Sequence, residues 1–323
     1  MREKTIDQHT VPKLWLKNFT YNKKKSSVYV YSKIEERSLG SKPTSNLTTQ
    51  EYFYDFHKII QDDLINKGIF ETEDLDDKQY VEKKFFSYNI ENKLGPLLQD
   101  TINTIKKNTS GSDVLSKEQI TSLSIQFAIQ FYRTTTMRSL IEKLLKAIRN
   151  YGRAKGIVDF NFNPDEYKEF YHYLILSSEN SILKIAEDMF NRQWVIYKTV
   201  GDNQKFVTSD NPIVIQPVSP RVSGNFVIPL SSDYLLTMYS DELTTPHNSI
   251  LTIASGLNTL EDFNKLQYQQ CEKEIYSKIN DFSWIKNVSN VGAAGLAPLR
   301  TFPQKAFDNY VAKIIQNKFN HIK

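Results

Sequence analysis

A chain of 323 residues with 41 basic and 37 acidic side chains carries a formal charge of +4, too small an excess to mark a nucleic-acid surface on its own and no bar to a local basic patch. Its hydrophobic share of 40% can bury a sizeable core, and its length allows one large domain or two tightly joined ones. The single cysteine, Cys271, excludes an internal disulfide and any multi-cysteine metal site.

The start of the chain, MREKTIDQHT, is charged and lacks the apolar stretch of a secretory leader. No apolar run reaches the roughly 18 residues of a membrane helix. The expected setting is the cytoplasm, with no membrane partner. Residues 11–19 read as a short helix: Pro12 suits a first helical position, and Val11, Trp15 and Phe19 make one apolar stripe. Ser27 to Tyr31 reads as a strand and 40–50 as a polar loop. Acidic Asp74, Asp76 and Asp77 open a long helix to about Lys107. Second and third long helices are expected over 117–151 and 165–192.

The pattern then changes. Strands are expected over 194–200, 205–208, 213–218, 226–230 and 234–239, a helix over 259–279 and a last helix over 306–318. The class is α+β: an N-terminal helical bundle with a short β-hairpin, then a mainly antiparallel strand-rich block and C-terminal helices. Residues 1–323 read as a single integrated domain, mainly helical over 1–192 and strand-rich with C-terminal helices over 193–323.

Four polar positions break these patterns. Val81, Phe85, Tyr88, Leu94, Leu98, Ile102 and Ile105 step by three or four, except for a gap at 91, which holds Glu91. Ile125, Ile129, Met137, Ile141 and Leu145 leave their missing place to Arg133, with Gln130 beside it. A buried arginine needs acceptors, so Glu91 and Arg133 are expected to pair across two packed helices. That pair reads either as a buried ion pair fixing helix register or as an active-site pair whose arginine binds an anion such as phosphate.

The third position is Asp210, in the run Ser209-Asp210-Asn211-Pro212 at a strand end. It reads as a turn residue bonding its own backbone, or as a metal ligand or acid/base group in a cleft. The fourth is His9, ahead of the first helix, which reads as a cap on free N–H groups or as a proton carrier. His57, His172, His247 and His321 show no ligand-like spacing to one another. Phosphate loops, dinucleotide fingerprints, the HExxH zinc pattern and the GxSxG nucleophile elbow are all absent from the sequence.

These residues carry a resemblance. Gln8-His9-x-Val11-Pro12-x-x-Trp15-Leu16-x-Asn18-Phe19 resembles the opening of bacterial proteins grouped as domain of unknown function 4238. Val28 to Lys33, Ile90-Glu91, Gln130 with Arg133 and Thr134, Trp194, Ser209 to Pro212 and Asn264 match the rest of its pattern. Thr135 stands where the family often has proline, which implies an unbroken helix here. The resemblance implies an accessory gene of bacterial mobile or defence loci, and so a toxic or antiviral effector.

The leading expectation is a nuclease-like hydrolase cleaving phosphodiester bonds of nucleic acid. In it His9 is general acid or base, Arg133 clamps phosphate and is oriented by Glu91, and Asp210 positions water or a divalent metal such as Mg²⁺. Gln130, Asn211 and Asn264 are the expected substrate-binding residues. The alternatives are a non-catalytic sensor or interaction module, with a protein partner from the same operon, and a nucleotide- or protein-modifying transferase.

Overall fold

The computed structural model describes residues 7–22, 24, 26–51, 53–66, 92–108, 111–154, 156, 162–217, 224–240, 246–253 and 259–288. Glu91, the expected helix start at 74–77 and the expected helix at 306–318 lie outside the described residues.

The central sheet is built from strands with almost no polar face. β5 (Gln193–Thr199), β7 (Val214–Gln216), β8 (Asn225–Pro229), β9 (Tyr234–Tyr239) and β10 (Ser249–Ile253) form it in the order β10-β5-β9-β8-β7. β10 runs parallel to β5 and the other pairs are antiparallel. Strands covered on both sides need apolar residues at successive positions rather than at alternate ones.

Two helical layers cover the faces. Trp194, Ile196, Phe226, Ile228, Leu236 and Met238 join one core with Trp15 and Phe127. There α4 (Lys117–Arg133) packs on α7 (Glu179–Asn191), and Phe131 meets Phe226 edge to face at 5.9 Å. On the opposite face Val214, Val227 and Leu235 meet Leu260, Phe263 and Leu266 of α8 (Thr259–Gln270). The remaining helices are α1 (Lys13–Leu16), α2 (Lys58–Asn66), α3 (Asn92–Lys107), α5 (Thr135–Ala154) and α6 (Pro164–Ser177). Val11, Trp15 and Phe19 are wholly buried, so the N-terminal stripe docks as its spacing implies.

A second sheet joins distant parts of the chain. The hairpin β2 (Ser27–Ser32) and β3 (Arg37–Pro43) continues through β11 (Glu274–Ser277) to β6 (Thr208–Ser209). The first 192 residues and the remainder therefore share one sheet. β1 (Asp7–His9) pairs with β4 (Thr49–Glu51) as a separate two-stranded ribbon.

Three expected helices are shorter than their patterns. The helix over 117–151 breaks at Thr134, which is extended (φ −75°, ψ 158°), and its hydroxyl accepts the Met137 N–H at 3.3 Å. A side-chain oxygen at that place starts a new helix, so proline is not needed for the break. Ser178 divides 165–192 in the same way, accepting from Ser181 N–H at 3.3 Å. The helix over 259–279 ends at Gln270, and 274–277 is β11. Phe263, Cys271, Ile275 and Ile279 lie on one four-residue row in the sequence, which made the strand read as helix.

Candidate functional site

The Ser-Asp-Asn-Pro run is bound to the corner where α8 turns into β11. Asn264, Gln267 and Gln270 follow at three-residue steps on α8, so their amides share a face. Asn264 accepts from Val207 N–H and donates to Lys205 O, both at 3.0 Å. Gln267 donates to Pro212 O at 3.2 Å, and Gln270 exchanges two bonds with the backbone of Ile215. Asn211 donates to Gln270 O at 3.1 Å. A row of amides thus takes the place of a neighbouring strand for residues 205–215, which answers the demand that buried backbone groups be paired.

Asp210 caps the turn after α8. One carboxylate oxygen accepts Glu272 N–H at 2.9 Å; the other accepts Lys273 N–H at 2.6 Å and Glu274 N–H at 3.3 Å. Burial pushes the Asp210 carboxyl up to about 6, although the three N–H donors pull it down. Lys33 serves the other end of the turn, donating to the carbonyls of Tyr268 at 3.0 Å, Gln269 at 2.9 Å and Cys271 at 2.9 Å. A cation there meets the free carbonyls and the negative end of the helix dipole. Burial pushes the Cys271 thiol well up, which leaves it unreactive. Replacing Lys33 with Met is expected to lower the unfolding free energy by about 1–3 kcal/mol in urea titration, since three carbonyls lose their donor.

The N-terminal signature is bound to the end of α4. Gln8 is wholly buried; its amide oxygen accepts Tyr54 N–H at 2.6 Å and its nitrogen donates to Asp55 at 2.9 Å. Gln130, also wholly buried, donates to Thr10 O at 2.9 Å. His9, between them, pairs with Thr49 in the ribbon and is half-buried. Arg133 lies one turn beyond Gln130, wholly buried, as the last residue of α4. With Glu91 outside the described residues, the expected Glu91–Arg133 pair is outside them too.

The break at Thr134 leaves carbonyls in the last turn of α4 without helical partners. Tyr54 donates its hydroxyl to Arg133 O at 3.0 Å, and His172 Nε2 bonds Tyr132 O at 2.6 Å. Arg138 Nε donates to His172 Nδ1 at 2.9 Å. Guanidinium only donates, so Nδ1 is bare and Nε2 carries the proton. Arg138 also donates to Glu169 at 3.0 Å and to Phe53 O at 2.8 Å, and stacks over the Phe53 ring at 4.2 Å. Burial, then the Arg138 charge, hold the His172 imidazole well below its usual range. Burial raises Glu169 while Arg138 lowers it.

A neutral buried His172 makes stability acid-sensitive. Its folded pKa is depressed, so its contribution is complete above about pH 6.5 and is lost as pH falls below that. The stability difference between wild type and His172→Gln should therefore shrink by about 1.4 kcal/mol per pH unit below pH 6.5, read by denaturant titration. A pH-independent difference would show that His172 is not held neutral.

Sequence reasoning passed over Arg138 and Glu169, and set His172 aside for want of ligand-like spacing to the other histidines. The signal was there: Arg138, Ile141 and Leu145 keep helical spacing, and Glu169 and His172 lie three apart on one helix. Ser209 bonds Gln267, and Asp210 and Asn211 are bonded to residues 270–274 rather than to the cluster around Arg133. Among the described residues no group of three or more His, Cys, Asp or Glu side chains is placed to hold a metal ion.

An accessible concavity lies elsewhere among the described residues. A cleft of about 590 Å³ opens between the sheet and α8, with Tyr197, Tyr239 and Phe263 as its aromatic walls and Gln216, Asn225 and Gln269 among its polar ones. Burial and the Tyr197 hydroxyl, 2.6 Å away, push the Tyr239 phenol well above the ordinary tyrosine range.

The described residues therefore define an α+β protein with one main sheet between helical layers, in which the side chains of Gln8, Gln130, Asp210, Asn211 and Asn264 bind its own backbone. The family model described as "Protein of unknown function (DUF4238)" matches residues 7–281, and the chain belongs to that family. Neither the curated proteins nor the solved structures provide a match. Among the described residues no helix is long and apolar enough to cross a membrane.

Proposed function

We propose that this protein is a non-catalytic binding module, acting as a sensor or interaction component, and that its family signature maintains the fold. One observation carries the reading: Asp210, the carboxylate best suited to hold water or a metal ion, has both oxygens occupied by backbone N–H groups. Asn264, Asn211 and Gln130 are likewise bonded to backbone carbonyls. A group that spends its lone pairs or protons on the fold has little left to stabilise a reacting phosphate. A single cysteine fits a reducing cytoplasm, where a protein partner encoded nearby would meet it.

Phosphodiester cleavage in antiviral defence is the second reading, favoured by His9, a half-buried residue next to Thr10, whose carbonyl accepts from Gln130 of α4. A cleavage assay separates the two. End-labelled RNA and DNA, incubated with the full chain with and without Mg²⁺, should stay intact. Cleavage by wild type that disappears in a folded His9→Ala variant would overturn the binding-module reading.

A further inference from the structure

We propose that the cleft between the central sheet and α8 binds an uncharged, planar heteroaromatic ligand of nucleoside size. The proposal rests on the binding-module reading above, and supplies that module with a ligand class.

The walls suit a flat ring. Tyr197 of β5 and Phe263 of α8 have centroids 5.1 Å apart with planes 51° from each other, and Tyr239 of β9 closes the same side through its hydroxyl contact with Tyr197. Aromatic faces favour a planar π-system packed in offset or edge-on geometry. The space of about 590 Å³ falls within the roughly 300–1,000 Å³ usual for small-molecule sites.

The polar groups suit an edge that both donates and accepts. The two phenols bring two protons to a single mutual bond, so one O–H is left for an acceptor on the ligand. Gln269 makes no side-chain hydrogen bond among the described residues, so its amide offers a donor and an acceptor together. Gln216 accepts from Asn225 at 3.4 Å and keeps its own N–H₂ group for a ligand. A nucleobase edge presents donors and acceptors side by side, which is what paired amides read.

Charge sets the boundary of the class. The ionisable side chains other than tyrosine on the described wall are Asp262 and Lys265. Lys265 is neutralised by Glu261 at 2.6 Å, whereas Asp262 is exposed. With Glu261 counted, the described wall carries one net negative charge, and a phosphate beside Asp262 meets repulsion rather than a partner. Nucleosides should bind in preference to nucleotides.

The test uses isothermal titration of the full chain with adenosine, guanosine, cytidine and uridine, and with the four 5′-monophosphates. At least one nucleoside should bind, and its monophosphate more weakly by about tenfold, the effect of one like-charge contact near the surface. Gln269→Ala should weaken the nucleoside about fivefold, the worth of one hydrogen bond. Asp262→Lys should narrow or reverse the discrimination against phosphate. Both positions are at least partly exposed, and the unfolding temperature of each variant should match wild type. No nucleoside binding, a monophosphate that binds tighter than its nucleoside, or wild-type affinity in Gln269→Ala would each overturn the ligand class. If RNA and DNA remain uncleaved in that event, the ligand class alone has failed; if they are cleaved, the binding-module reading has failed.

Discussion

Asp210→Ala should lower the unfolding free energy by about 2–4 kcal/mol at pH 7, making it one of the two most damaging single changes described here. Truncation leaves the N–H groups of Glu272, Lys273 and Glu274 without their acceptor in a corner where Asp210 is only 6% exposed. Each unsatisfied buried donor costs about 1–3 kcal/mol, and the release of a carboxylate that burial already disfavours offsets part of the sum. The midpoint in urea should fall with little change in slope. The pH dependence has a definite sign. The folded pKa of about 6 lies above the ordinary 3.8, so the native state holds the proton more tightly. Wild type should lose part of its advantage over the variant as pH rises from about 4 to about 6, opposite in sign to the effect of His172.

Arg138→Met should cost about 3–5 kcal/mol, the usual penalty for removing one partner of a buried ion pair. Met keeps most of the apolar volume but leaves the Glu169 carboxylate, His172 Nδ1 and Phe53 O without a donor. Glu169 has a side chain only 15% exposed and cannot recover full hydration in place. Pairing the change with Glu169→Leu should recover part of the loss, because both charges are then gone. Additive losses in that double variant would show that the two groups do not depend on each other. Far-ultraviolet circular dichroism of the single variant should retain the helical signal, since the damage is local to the contact between α5, α6 and the segment at Phe53.

How much of this was readable in the chain differs by level. Periodicity located the strand Tyr234–Tyr239 to the residue and the buried stripe of Val11, Trp15 and Phe19. It could not find the breaks at Thr134 and Ser178, because hydroxyl caps interrupt helices without interrupting their apolar rows. It hid β11, whose residues keep a helical row while pairing with β2 from the other end of the chain. Broken apolar rows did identify Arg133 as a buried polar residue, and a strand-end motif identified Asp210. What they bond was beyond local pattern: the partners of Asp210 lie 62 to 64 residues away, and Tyr54 reaches Arg133 across 79. Arg138 was missed because it borders its apolar row instead of interrupting it.

The central claim is that the Ser-Asp-Asn-Pro carboxylate serves the fold, and amide hydrogen exchange of Glu272 and Lys273 tests it most directly. Both N–H groups lie in the turn ahead of β11 and find their acceptor in Asp210. Measured by NMR on the native protein, both should exchange slowly, at rates set by opening of the corner, and Asp210→Ala should speed both while amides of β9 stay protected. Fast exchange of Glu272 and Lys273 in wild type would mean that Asp210 is free of them, available to water or a metal ion, and would contradict the account.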